Sequence, residues 1–418
     1  MISRRRAIGG LGALGLAYGS LGWVARTLAG SAHDKTRAPD LASRLLQLHA
    51  AEAEGNAAIS PYSLLSALAL LSRAADGRTL RGLEQHSTLI PDKLVAERLP
   101  LRSDPVRASE LLSFAIQNPG AGNILRSANG LWLAEDVLVQ DEFELAPLDA
   151  EQMTLPATST EVLEVINQWV SDKTRGFIPS ILDTIDEQTR LILTNALYFK
   201  GQWLKSFNPE DTAREPFRLA NGSTDDVEMM RSEDYVLPHW KQGPFEAVRL
   251  PFYGGRIEYV VLTTTEPMAP AEILSELNSA SASGGNDTLG SILRGDNSVL
   301  RRGLVAIPRH QVDSSIDLAP SLQQLGLAEP FDTCADFSRL SDERLSVDQV
   351  AHRARLDVSE EGAEAAAATA ITGVRSALPA PEPGLEFVLD RPFVSFLVSQ
   401  GMWKIPLIQS FVSNPAAA

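Results

Sequence analysis

Residues Leu191 to Phe199 read Leu-Ile-Leu-Thr-Asn-Ala-Leu-Tyr-Phe, with no charge and no polar–apolar alternation. A continuous apolar run of this length fits a strand buried on both faces. Such a strand needs neighbours on either side and a packed layer above and below, which places it in the middle of a large sheet. Asn195 lies inside the run, and a buried amide there requires partners. Further strands are expected at 129–133, 136–140, 227–231, 247–252, 256–264, 302–309, 350–358, 385–399 and 405–413.

Helices are expected at 40–50, 60–75 and 161–175. Ser60-Pro61 opens the second of these, because serine caps and proline at the first helical position loses no bond. Leu64, Leu68 and Leu71 then form one apolar face. Val162, Val165, Ile166, Trp169 and Val170 form the face of the third, which Gly176 and Pro179 end. Residues 278–298 read as a polar loop around a short helix. Helices cluster early and strands late, which favours an α+β fold over an alternating one.

The 418 residues carry 37 basic and 53 acidic side chains, a net charge of −16. That balance argues against nucleic acid, whose phosphates are bound by clustered Lys and Arg. Cys334 is the only cysteine, so no intrachain disulfide forms. Residues 1–32 differ from the rest: Arg4-Arg5-Arg6 precede an uncharged Gly/Ala/Leu-rich stretch, Ala7–Val24, and small-residue sites end at Ala29 and Ala32. This is the pattern of an export signal, with a permanent membrane anchor as its alternative. Ser3-Arg4-Arg5-Arg6 resembles the twin-arginine type, which implies a bacterial source. Residues 33–418 would then form the mature domain in the periplasm or outside the cell, free of the membrane once the signal is removed. Gly10-Leu11-Gly12-Ala13-Leu14-Gly15 fits a dinucleotide-binding pattern, but no strand precedes it.

Catalytic patterns are missing. None of the six histidines forms H-E-x-x-H, and there is no G-x-S-x-G or phosphate loop. Asp332 and Asp336 beside Cys334 would raise a thiol pKa, the wrong direction for a nucleophile. Asp225-Asp226 and Glu360-Glu361 read as solvated carboxylates. No enzyme activity, cofactor or metal is expected.

Residues 359–384 lie between two strand candidates and carry no core-facing pattern. A connection this long is either functional or unstructured. Six of the eight residues from Ala363 to Ala370 are alanine, small enough to enter a packed sheet. Pro379, Pro381 and Pro383 cannot donate to a ladder, so the second half is not a central strand. Taken alone, the segment could equally be an Ala-rich surface helix capped by Ser359 and followed by a proline linker.

Other motifs bear on that choice. Glu360-Glu361-Gly362-Ala363-Glu364-Ala365-Ala366-Ala367 resembles the hinge of the serpins, inhibitors of serine proteases. Asn195 to Trp203 resembles their central-sheet signature, and Asn56 to Ser63 the start of their second helix. Asp390-Arg391-Pro392-Phe393 and Asn414-Pro415 resemble segments that follow the family's reactive loop. The likeness runs through about residues 40–415. It implies one domain of three β-sheets and eight or nine helices, with an exposed reactive-centre loop at about 359–384, expected to act as a monomer.

The resemblance also implies a mechanism. A serine protease attacks the loop and forms a covalent acyl-enzyme, and the freed loop enters the central sheet as a new strand. In that strand Ala363, Ala365, Ala367 and Thr369 would face inward and Glu364 outward. Ser60, Ser63, Asn195 and His352 match the family's polar cluster where the sheet opens, and Trp203 a tryptophan near the top of the opening. The scissile bond is Arg375–Ser376, which would select trypsin-like proteases, or Ser376–Ala377 by the count from Gly362. A non-inhibitory carrier or interaction protein of the same fold is the alternative.

Overall fold

A computed structural model describes residues 41–52, 55–86, 122–145, 150–282, 288–362, 381–400 and 406–417. The apolar run forms β4 (Leu191–Lys200), the middle strand of a five-stranded sheet. In order, that sheet contains β10 (His310–Asp317), β11 (Gln349–Val358), β4, β2 (Ile124–Leu133) and β3 (Glu151–Thr154). β2 pairs with β4 antiparallel, whereas β11 pairs with β4 in parallel, from Gln349 opposite Ile192 to Leu356 opposite Phe199.

The lack of alternation in β4 now has its cause. Leu191, Leu193, Leu197 and Phe199 enter one core cluster, and Ile192, Ala196 and Tyr198 a second on the opposite face. The first core is covered by α1 (Leu41–Glu52) and α2 (Pro61–Ala74). Ser60 caps α2 by accepting from the Ser63 amide, with Pro61 at the first turn. The second core is covered by α4 (Ser159–Lys173), which follows α3 (Gly77–His86) in chain order. Val162, Ile166 and Val170 are the buried side of α4. Val165, expected on that side, is 43% exposed because it lies on the flank of the stripe.

The remaining strands form one nine-stranded network. Its path is β1 (Ala57–Ile59), β14 (Pro406–Val412), β13 (Phe393–Ser399), β8 (Ile257–Thr264), β7 (Phe245–Pro251), β6 (Thr224–Gln242), β9 (Val299–Pro308) and β12 (Glu382–Val388); β5 (Ala213–Arg218) pairs with β6. The implied three sheets are thus two hydrogen-bonded networks, because the 19-residue β6 reaches β7 at one end and β9 along its length. The other helices are α5 (Pro270–Ala282), α6 (Thr288–Arg294) and α7 (Ala319–Gln324), giving seven α-helices among the described residues.

Several expectations are corrected. Residues 136–140 are not a strand: a turn at Glu135-Asp136 ends β2, Val137 N bonds back to Ala134 O, and Leu138 is 77% exposed. The strand expected at 385–399 is two, β12 and β13. Asp390 between them is held by Arg218, Arg391 reaches Thr264 O, and Pro392 has no amide to donate. β12 begins at Glu382, inside the segment assigned to the loop; Pro383 is tolerated because β12 is an edge strand with a register shift there. Part of 278–298 belongs to α5. Finally, Asn56 joins the two ends of the fold, accepting from Ser413 N and Asn414 N and donating to Asn414 O.

Candidate functional site

The chain leaves β11 at Val358 and turns at once. Gly362 N bonds to Ser359 O at 3.1 Å, and Gly362 has φ +81°. A Cβ at 362 would also collide with Gly201 O and the Trp203 amide, so both conformation and space require glycine. The turn is fastened to the segment that follows β4. Trp203 N donates to Glu361 O at 3.1 Å, Phe207 N to Glu360 O at 2.9 Å, and Trp203 Nε1 to Ser359 O at 2.8 Å. Trp203 is buried, stacked on Phe252 at 4.3 Å and tilted against Tyr259. The clasp therefore bridges the upper ends of β11 and β4.

Glu360 is buried and accepts from Arg309 and from Thr212 Oγ1. Burial raises its carboxyl pKa, but the bonds from Arg309, its own backbone and Thr212 outweigh that and hold it below the usual carboxylate range. Just beyond Arg309, His310 is buried between Tyr259 OH at 3.0 Å and Pro308 O at 2.8 Å, and burial lowers its pKa to about 4.

Lower in the same sheet the register puts Asn129, Asn195 and His352 side by side on β2, β4 and β11. Asn195 Nδ2 donates to Asn129 Oδ1. His352 Nε2 accepts from Ser60 N at 3.1 Å, and Ser60 Oγ donates to Leu407 O at 2.7 Å. Ser63 N completes the α2 cap. Ser63 Oγ, Asn195 Oδ1 and His352 Nδ1 are buried without a hydrogen-bond partner among the described residues. Burial first, and then the charge of His49, lowers the His352 pKa to about 3.

The structure thus brings Ser60, Ser63, Asn195 and His352 to one region, but Asn195 finds its partner in Asn129 rather than in the serines or histidine. Trp203 is not part of that group: it packs with the Ser359–Gly362 turn at the top. The expected residues Ala363, Glu364, Ala365, Ala366, Ala367, Thr369, Arg375, Ser376 and Ala377 lie outside the described residues. Sequence reasoning missed Asn129, Thr212, Arg309 and His310. Each joins the site through pairing far along the chain, which leaves no local signal.

The profile of one family, Serpin (serine protease inhibitor), matches residues 36–415. The chain belongs to the serpin family. Leukocyte elastase inhibitor of Sus scrofa is 31% identical over 357 residues, covering 82% of this chain and 89% of that protein. Alpha-2-antiplasmin of Bos taurus is 31% identical over 368 residues, covering 86% of this chain and 68% of that protein. Among solved structures, Serpin48 of Tenebrio molitor aligns with a TM-score of 0.72 at 22% identity, covering 89% of this chain and 95% of that one. That structural likeness carries the α+β serpin fold, and the sequence relatives carry the general activity, protease inhibition. Among the described residues no His, Cys, Asp or Glu cluster could hold a metal ion in this serpin.

Proposed function

We propose that this serpin is an irreversible suicide-substrate inhibitor of serine proteases, with a preference for trypsin-like enzymes, acting outside the cytoplasm. The observation that carries this reading is the parallel β4–β11 seam with the Ser359–Gly362 turn clasped over its end. A strand continuing from that turn and running back along β11 enters between β11 and β4. It would be antiparallel to both, replacing one parallel ladder, the slightly weaker kind, by two antiparallel ones.

The chemistry is that of interrupted proteolysis. The protease serine oxygen bonds to the Arg375 carbonyl carbon, the Arg375–Ser376 peptide bond breaks, and the Ser376 amine leaves with a proton. The Arg375 ester would ordinarily be hydrolysed. Insertion of the freed loop before water attacks carries the protease away from its docking position and distorts it. Arginine at 375 supports a trypsin-like partner, since it suits an acidic specificity pocket. Relatives named as an elastase inhibitor and as an antiplasmin support a protease as partner.

Incubation with trypsin, elastase and subtilisin tests this. The expected result is a denaturant-resistant covalent band with trypsin and a released peptide beginning at Ser376. Arg375→Ala should abolish trypsin inhibition without changing the fold. Unchanged trypsin inhibition would move the bond to Ser376–Ala377 and the target towards elastase-like enzymes. Cleavage without any covalent product would favour a carrier or interaction role.

A further inference from the structure

The lower end of the β4–β11 seam is fastened by side chains. Asp348, the residue before β11, takes two successive amides on one oxygen: Arg190 N at 2.7 Å and Leu191 N at 2.9 Å. Its own amide donates to Leu191 O at 3.0 Å. The Arg190 side chain crosses the seam in the same direction, donating to Glu343 Oε2 at 2.5 Å and to Arg344 O at 3.4 Å. On the other side Arg190 stays with β2: its carbonyl accepts from Ala134 N at 2.9 Å, and its guanidinium donates to Asp136 Oδ2 at 2.9 Å.

The segment leading into β11 is fixed behind this staple. Gln140 N donates to Leu340 O at 2.8 Å, Ser341 Oγ to Leu138 O at 2.7 Å, and Gln140 Nε2 to Asp342 Oδ1 at 2.7 Å. Leu345 and Val347 of the same segment are buried in the first core. Residues 138–140 follow β2 in the chain, so they tie the β2 side of the sheet to the lead of β11 past the end of β4. The distance from the upper clasp down to the staple fixes a residue count. Gly362 packs against Gly201 O and the Trp203 amide. A strand running back from it between β4 and β11 brings residue 371 level with about Ile192, which with Gln349 forms the lowest rung of the ladder. Residues 372–375 come next, level with Leu191 and beyond it, and span roughly 13 Å at about 3.3 Å each.

We propose that Asp348 and Arg190 form a stop that sets how far an incoming strand is drawn into the sheet; this deepens the insertion reading above and rests on it. Within the ladder, each backbone bond lost between β4 and β11 is replaced by one to the new strand. At the staple the bonds come from side chains, and a displacement of one strand spacing, about 4.8 Å, breaks them without replacement. Arg190 would part from Glu343 as well, an ion pair that an incoming backbone does not restore. Drawing therefore ends at about residue 371, and the last residues up to Arg375 remain outside the ladder as a tether to the protease. Asp348 and Arg190 are positioning residues, because they act through the sheet and not on the scissile bond.

The test uses the full chain and two synthetic peptides, residues 363–371 and 363–374, whose uptake into the sheet needs no protease. The parent should bind both equally, because the longer peptide meets the stop. Asp348→Ala should bind 363–374 roughly tenfold tighter than 363–371, the gain from about two further ladder bonds. Asp348→Asn keeps an oxygen for both amides and should behave as the parent does. Arg190→Gln loses the reach to Glu343 and Arg344; it should show a smaller preference of the same sign, and it carries the test if Asp348→Ala does not fold. A variant that takes up both peptides more readily, with no preference for the longer, would mark a general loosening of the fold and overturn the proposal. A parent that already prefers the longer peptide as strongly as Asp348→Ala would overturn it too, while leaving the insertion reading standing. If neither parent nor variants take up either peptide, the insertion reading fails and the stop falls with it.

Discussion

His352 accepts the Ser60 amide through Nε2, so its proton resides on Nδ1, which has no acceptor among the described residues. A second proton has nowhere favourable to go. His352, lowered to about 3, and His310, lowered to about 4, stay neutral in the fold at pH values where an unfolded histidine is charged. Below pH 6.5 the unfolded chain therefore binds more protons than the folded one, and stability falls with pH down to about 3–4. Each histidine contributes a slope of about 1.4 kcal/mol per pH unit well inside that window. Glu360 adds to the loss at the lower end, because its depressed pKa means its contribution is complete above 4.5 and fades below. Denaturant melts at pH 7 and pH 5 should show the decline, and His352→Gln, whose side-chain oxygen can still accept from Ser60, should flatten it. An unaltered slope in that variant would remove His352 from the account.

At the scale of elements, the seam between β11 and β4 and the turn above it decide how a strand could enter. Alternate residues of a strand face the same side, so Ala363, Ala365 and Ala367 would enter facing the sheet interior and Glu364 would face out. Ala365→Arg should leave the intact fold unchanged and the loop cleavable, but trypsin should emerge active. An unpaired buried charge costs several kcal/mol, and about 1.4 kcal/mol in the insertion barrier already slows it tenfold against hydrolysis. Glu364→Arg should leave inhibition nearly intact. Trapping assays with both variants check this, and equal inhibition by the two would sink the insertion reading. The elements legible in the sequence are those whose cause is local. β4 announces itself by an apolar run, α2 by Ser60-Pro61, and α4 by its apolar stripe ending at Gly176. Residues 136–140 carry Val137, Leu138 and Val139 in a row yet find no ladder, and β10 gives no apolar signal because serines and aspartates interrupt it. The clasp on Glu360 was beyond reach, since Arg309 and Thr212 arrive from different strand ends. The hinge assignment rests on likeness to the serpins rather than on any rule of periodicity, and most of it lies outside the described residues.

For the whole molecule the central question is whether the five-stranded sheet is the most stable arrangement of this chain. The backbones of β11 and β4 already pair through a parallel ladder, so the seam is closed in the intact chain. The alternative arrangement is blocked by connectivity: residues 363–380 leave one network at Gly362 and must reach β12 in the other at Glu382. Cleavage at Arg375, the proposed bond, would remove that tether. On the proposed reading the freed segment would then pair on both sides, adding a ladder whose bonds contribute roughly 0.5–1.5 kcal/mol each, and burying its inward alanines. The Glu360 clasp closes the end of the seam, so it would slow any opening of the sheet. The intact protein is therefore expected to be metastable, and the protein cut at Arg375 should melt higher by more than roughly 10 °C, given the few degrees that each kcal/mol supplies in a large domain. Calorimetry of intact, trypsin-cut and uncut Arg375→Ala protein checks this. The uncut variant should melt with the intact parent. Coincident melting of cut and intact protein would mean that the loop stays out of the sheet, leaving the clasp and the seam as features of a static fold.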